Sequence, residues 1–273
     1  METRVTVPML QRMKRDGRKI VAAVVYDYQM AQIADRAGVE IVSVGDSVGV
    51  NFWGHRSELE VTLDEMVLVC RAVRRGVRRA LVSCDMPYGP LQLGPEHAVA
   101  AAIRLIKEGG ADLVKLDGAA EFPEAVRAVT RAGVPVWAQF GITPQTALAA
   151  GGSMAAAAPG SATEAADRLV EEARRLEAAG AVLLDFTNSG PVAGPAVARA
   201  CTIPVLGGLG GGPWLDGRVR AVVSAIGYLA SALDDQVERY ANVARLAHEA
   251  IAAYADDVRA GRPLRGERRP APV

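Results

Sequence analysis

The chain has 273 residues, 50% hydrophobic and 23% charged, which is ordinary globular composition and enough length for one large core. Lys plus Arg and Asp plus Glu number 31 each, so the formal net charge is zero and no bulk basic character points to nucleic acid or to a membrane surface. Cys70, Cys84 and Cys201 form neither a metal-ligand spacing nor a disulfide framework, Met1 to Lys19 lacks an apolar signal core, and no run of about 18 apolar residues occurs; a cytoplasmic protein with no membrane span is expected.

Short apolar runs recur along the chain, each followed by a helical pattern. The predicted strands are Ile20–Tyr26, Glu40–Gly45, Ala80–Cys84, Leu113–Leu116, Val134–Gln139, Ala181–Phe186, Ile203–Gly207 and, more weakly, Val219–Ala225. They are rich in Val, Ile and Leu and do not alternate with polar residues, as strands buried on both faces of a parallel sheet do. Between them, Thr62-Leu63-Asp64-Glu65 reads as a capping box, with Gly76 ending that helix. Pro95 opens a helix that stops at Gly109-Gly110, and Ser161 to Glu164 opens another that Gly180 closes. Ala147 to Ala158 reads as loop or weak helix.

This order predicts a single α/β domain, a (β/α)8 TIM barrel over residues 1–255, with the end of a long C-terminal helix and a Pro- and Arg-rich tail over 256–273. The alternative, an open doubly wound sheet, lacks its phosphate-binding fingerprint, because Tyr26-Asp27-Tyr28 follows the first strand. Asp235–Ala260 reads as one helix with Val237, Tyr240, Val243, Leu246, Ile251 and Tyr254 on a face that packs on the barrel or on another subunit.

In such a barrel the chemistry sits at the carboxyl ends of the strands. Asp46 ends the second strand, Asp85 the third, and Asp117 follows the fourth. Three carboxylates on one rim repel one another unless a cation lies among them, and a hard divalent ion such as Mg2+ takes such oxygen ligands. Lys115 lies inside an apolar run and shares a face with Asp117, where it can meet an anionic substrate. Asp27, between two tyrosines, suits a structural hydrogen bond at least as well as catalysis. His55, in an aromatic loop, divides evenly between packing and a place near the site; His97 and His248 read as structural or solvated. The glycine run 207–212 offers backbone N–H groups to a phosphate or carboxylate, a weak signal taken alone.

Taken together, "VYDY" at 25–28, "VGDSVG" at 44–49, "GH" at 54–55, "CDMPYG" at 84–89, "VKLDG" at 114–118, "GITPQ" at 141–145 and "IPVLGGLGGG" at 203–212 resemble the ketopantoate hydroxymethyltransferase family, among the phosphoenolpyruvate mutase/isocitrate lyase-like barrels. The resemblance runs from about Met9 to Leu215 and more weakly through the last helix. It implies a metal site of Asp46, Asp85 and Asp117, the last a glutamate in most of the family. It implies a 2-oxo acid held by Ser47, Asp46, Asp85 and Lys115, an aldol-type reaction through an enolate, and 5,10-methylenetetrahydrofolate as one-carbon donor. It also implies a homo-oligomer, a decamer in the family.

The chain departs from the family on the far side of the barrel. Thr187 stands where the family has its glutamate base, Gln139 where it has a histidine, and Val223 and Ser224 where it has a His-Asp pair. The basic, glycine-rich stretch after the fifth strand becomes "SMAAAAPGSA" at 153–162. Asp185 faces the same way as Thr187 but sits roughly 6–7 Å further down the strand. Lys115, Thr187, Asp185 and Gln139 are therefore the candidate catalytic residues, with Asn188 beside them. A hydroxymethyltransferase with an altered base is one expectation; a metal-dependent C–C lyase or decarboxylase, which needs no strong base at Thr187, is another; a non-catalytic descendant is a third.

Overall fold

The structure, a computed structural model, describes residues 3–146, 162–208 and 210–266. It divides into two compact units, Met1–Arg220 and Ala221–Val273.

The first unit opens with a helix absent from the sequence expectation, α1 (Val7–Arg15), capped by the Thr6 side chain with Pro8 in its first turn. β1 (Ile20–Val25), α2 (Tyr28–Arg36), β2 (Ile41–Val44), α3 (Leu63–Gly76), β3 (Leu81–Asp85) and α4 (Pro95–Arg104) follow. After these come β4 (Leu113–Leu116), α5 (Pro123–Arg131), β5 (Val136–Gly141), α6 (Ala162–Ala178), β6 (Leu183–Thr187), α7 (Ala193–Ala200), β7 (Val205–Gly207) and β8 (Gly217–Ala221). The strands pair in parallel with their sequence neighbours to close an eight-stranded barrel, as predicted.

Local chemistry explains the elements. Thr62 and Glu65 form the expected capping box of α3. Asp27 caps α2, its carboxylate accepting from the Met30 N–H at 2.8 Å, so its role is structural. Pro95 starts α4, and Gly110, in the left-handed region, ends the π-helical turn Leu105–Gly109 that continues it. Every residue of β2, β3, β4 and β6 is buried, as strands covered on both faces must be. Trp137, Phe140 and Phe186 fill the interior among branched aliphatics, the two phenylalanines stacked at 4.6 Å. Each such fully buried side chain stabilises the fold by about 1.5–3 kcal/mol. At the seam the Ile20 N–H donates to the Asp216 carbonyl at 3.0 Å, and a Cβ added to Gly217 would lie 2.1 Å from the Ile20 carbonyl oxygen, so the last strand lies flush against the first only because residue 217 has no side chain.

The expected strand at Val219–Ala225 is displaced: β8 is Gly217–Ala221, and a helical turn, α8 (Val222–Ala225), occupies the rest. In the second unit the C-terminal helix also begins later than expected. It is α9 (Val243–Arg259), because Asn242 caps it through the Arg245 N–H. Val237 and Tyr240 therefore lie outside the helix, in an irregular run carrying the Asp235–Arg239 ion pair. No residue of α9 is buried, and the face predicted to pack is exposed at Leu246, Ile251 and Tyr254. The expectations for Ala147 to Ala158, for the Ser161 cap and for the last tail residues, 267–273, fall outside the described residues. None of the described helices is long and apolar enough to cross a membrane.

Candidate active site

The carboxyl ends of β2, β3 and β4 carry Asp46, Asp85 and Asp117, all buried. Parallel pairing of neighbouring strands puts these three groups side by side on one rim. Burial pushes the carboxyl of Asp46 up to about 7, with the nearby Asp85 charge adding to the effect. Burial likewise raises Asp117 to about 7 and Asp85 to about 6, the latter restrained by Lys115.

Lys115 projects into the barrel from β4. Its Nζ lies 3.0 Å from Asp185 Oδ2 on β6, 3.8 Å from Asp85 Oδ2, and 5.4 Å from the Trp137 ring centre. β4 and β6 are separated by β5, so this ion pair exists only because both side chains point into the interior. Burial alone would discharge the ammonium, but Asp85 and Asp185 outweigh it and raise its pKa, so Lys115 is charged. It is the only buried cationic side chain among the described residues.

Asp85 Oδ1, Asp117 Oδ1 and Asp185 Oδ1 are buried without hydrogen-bond partners. Buried carboxylate oxygens are costly when left so, and one ammonium cannot satisfy four acidic groups. The donor set thus fits a hard divalent cation. Among the described residues no three His, Cys, Asp or Glu side chains converge closely enough to grip one ion together. Mg2+ is commonly held by one or two carboxylates and completes its shell with substrate and water oxygens, so two of these groups would suffice for it.

Ser47 follows Asp46, and its hydroxyl is fixed 3.0 Å from Tyr26 OH, which accepts from Asn51 Nδ2 at 2.8 Å. On the far side, Gln139 Nε2 donates to Thr187 Oγ1 at 3.0 Å. Because that oxygen accepts from Gln139, the Thr187 O–H is free to donate elsewhere. Asn188 spends its amide on the Ile142 carbonyl at 3.3 Å. Lys115 thus joins Asp85 and Asp185 directly, while Gln139 and Thr187 form a separate pair on β5 and β6. Tyr26, Asn51 and Gln145, passed over as site residues in the sequence, also hydrogen-bond within the site. Two of them lie in runs quoted for the resemblance, "VYDY" and "GITPQ", but no spacing rule gives them a role.

His55 does not join the site. Its ring packs 5.6 Å from Trp53, and its Nδ1 would meet a Cβ built on Gly49 at 2.7 Å, so it is part of its own loop. His97 and His248 are exposed. Close packing accounts for Gly207 at the start of the glycine run, where a Cβ would lie 2.6 Å from the Phe186 carbonyl oxygen.

The sequence profile described as Ketopantoate hydroxymethyltransferase matches residues 4–263. The chain belongs to that family. Its relatives include the 3-methyl-2-oxobutanoate hydroxymethyltransferase of Magnetococcus marinus, 39% identical over 259 residues, covering 95% of each chain. The enzyme of the same name from Anaeromyxobacter dehalogenans is 40% identical, covering 94% of this chain and 84% of its own. Among solved structures, a putative phosphonomutase from Burkholderia cenocepacia superposes with a TM-score of 0.63 at 17% identity, covering 93% of this chain and 98% of its own. A 2,3-dimethylmalate lyase of the PEP mutase/isocitrate lyase superfamily gives 0.61 at 14%, covering 96% and 89%. These structural likenesses establish the barrel fold.

Proposed function

We propose that the protein is a divalent-cation-dependent hydroxymethyltransferase. In this reading it joins a one-carbon unit from 5,10-methylenetetrahydrofolate to the carbon beside the ketone of a 2-oxo acid, with acid–base groups different from those of its family. The observation that carries the reading is the placing of Asp46, Asp85 and Asp117 at neighbouring strand ends of one rim with Lys115 beside Asp85, and with buried carboxylate oxygens left without partners.

Asp46 and Asp85 would hold the cation, with Asp117 beside them. When bound, the cation supplies Lewis-acid polarisation of the keto oxygen and stabilises the charge that develops there. Lys115 faces the carboxylate of the 2-oxo acid, and its neighbours Asp85 and Asp185 keep it charged for that purpose. Ser47, held by Tyr26, donates a hydrogen bond to the substrate. Asp185 takes the proton from the carbon beside the ketone. One water hydrolyses both methylene–nitrogen bonds of the donor, its two hydrogens going to the folate nitrogens and its oxygen to the one-carbon unit as a carbonyl. The electron pair left on the substrate carbon then forms the new C–C bond to that unit as the C=O π bond opens and the oxygen takes up a proton, giving the hydroxymethyl group and tetrahydrofolate. Thr187, with its oxygen occupied by Gln139, offers its proton to the substrate or to a water. A homo-oligomer is part of the same reading by family likeness.

The test is incubation with Mg2+ and a panel of 2-oxo acids in D2O, with and without methylenetetrahydrofolate. The expected result is Mg2+-dependent deuterium incorporation beside the ketone and a hydroxymethylated product only with the folate. Folate-independent C–C cleavage overturns the transfer in favour of a lyase, a reading the absence of a carboxylate at Thr187 favours. No exchange and no cation binding make the chain non-catalytic.

A further inference from the structure

One residue outside the acidic set touches the ends of three strands. Gln145, in the loop after β5, donates its backbone N–H to Asp117 Oδ2 at 3.2 Å. Its side-chain Nε2 donates to Asp46 Oδ2 at 2.8 Å and to the Met86 carbonyl at 3.3 Å. Asp46 follows β2, Met86 follows Asp85 at the end of β3, and Asp117 follows β4. Both hydrogens of the amide nitrogen are thus committed, and Gln145 is buried, so the side chain has one orientation.

The chemistry of the group matters as much as its place. An amide donates hydrogen bonds without bringing charge. A lysine there would neutralise Asp46 and compete with a cation; a glutamate would repel both carboxylates. Gln145 fixes two carboxylates in space while leaving their negative charge available. Groups that orient metal ligands in this way govern affinity although they never touch the ion.

We propose that Gln145 is a positioning residue of the cation site, which orients Asp46, the strand end that carries Asp85 and the neighbouring Asp117, and thereby sets the preference of the site for a small divalent ion. This rests on the cation reading above. Mg2+ tolerates little departure from tight octahedral distances, whereas Ca2+ accepts longer and more variable ones. A site whose carboxylates are released from Gln145 therefore loses Mg2+ more than Ca2+. A residue that merely ties loops together would lower stability and leave the ratio of the two affinities unchanged.

The experiment titrates the full chain with Mn2+ by electron paramagnetic resonance and displaces the ion with Mg2+ or Ca2+, for the parent protein, Gln145→Ala and Gln145→Met. The methionine variant preserves the volume of the side chain and covers a failure of the alanine variant to fold. The expected result is Mg2+ affinity weakened about 10–100-fold in a folded variant, with the Mg2+ to Ca2+ affinity ratio falling. Folded variants whose affinities and ratio stay within about twofold of the parent overturn the role of Gln145 and leave the cation reading standing. A parent protein that binds none of the three ions overturns the cation reading, and this inference falls with it.

Discussion

The Lys115 ammonium lies 3.0 Å from the Asp185 carboxylate across the inside of the barrel, and both are buried. Removing one member of such a pair leaves an uncompensated buried charge, whereas replacing both by apolar groups does not. Lys115→Met is expected to destabilise the protein by about 3–5 kcal/mol and to abolish turnover. Lys115→Met with Asp185→Leu recovers most of the stability and none of the activity. Urea denaturation beside the deuterium-exchange assay measures both, and a double variant no more stable than the single one contradicts the pairing.

Asp185→Asn separates binding from proton transfer. Deuterium exchange beside the ketone is expected to fall by about 10²–10⁴, the usual contribution of a positioned base, while Mn2+ binding stays within a few-fold of the parent. Unchanged exchange in Asp185→Asn removes this residue from the reaction.

Thr187→Val keeps the shape of the side chain but strips the acceptor from the buried Gln139 amide. A cost of about 1–3 kcal/mol is expected, the penalty of a stranded donor. Thr187→Glu instead places a carboxylate where the resemblance to the family implies a base, and faster exchange than the parent is the expected outcome. Slower exchange would show that the site has been rebuilt around Asp185.

In chelator-treated protein, stability depends on pH through the rim. Burial raises the carboxyls of Asp46 and Asp117 to about 7 and that of Asp85 to about 6. Unfolded, such groups titrate near 3.9, so between about pH 4 and 7 the folded state holds more protons and its stability falls as pH rises, levelling above about 7. Asp35 works in the opposite sense. Although partly buried, it accepts the N–H groups of Ala80, Arg78 and Arg79 and is held below the usual carboxylate range, so its contribution is lost as pH falls. Mg2+ affinity should rise over the interval in which the rim loses protons, because ion and proton compete. Denaturation curves with and without Mg2+ check this; a chelated protein that gains stability from pH 5 to 7 is the contrary result.

Trp214 Nε1 donates to Ser189 Oγ at 3.1 Å, tying the loop after β7 to the loop after β6. A Cβ on Gly194 would lie 2.2 Å from that indole nitrogen. Gly194→Ala is expected to cost about 1–3 kcal/mol through overpacking and to shift tryptophan emission to the red as the indole moves toward water. Unaltered emission and stability would mean the loop yields freely.

Much of the barrel was legible because its signals are local. Capping boxes, helix-ending glycines and doubly buried strands such as Leu113–Leu116 each announce themselves within a few residues. Asp46, Asp85, Lys115 and Asp117 were legible for a related reason: polar groups at the ends of apolar runs stand out. α1 was missed because Thr6 and Pro8 start it inside a stretch whose polarity hid its single apolar face. α9 was drawn too long because periodicity carried past Asn242, whose capping bond decides the boundary. The contacts of Gln145 and the meeting of Lys115 with Asp185 depend on which strands become neighbours and which faces turn inward. No pattern within one segment contains that information.

The seam between Ile20 and Gly217 bears on how the molecule is made. Synthesis delivers the first strand well before its last neighbour, so the nascent chain carries an open sheet edge until Asp216 and Gly217 leave the ribosome. A polypeptide arrested before that point has no partner for its first strand, and quality control meets it with that edge open.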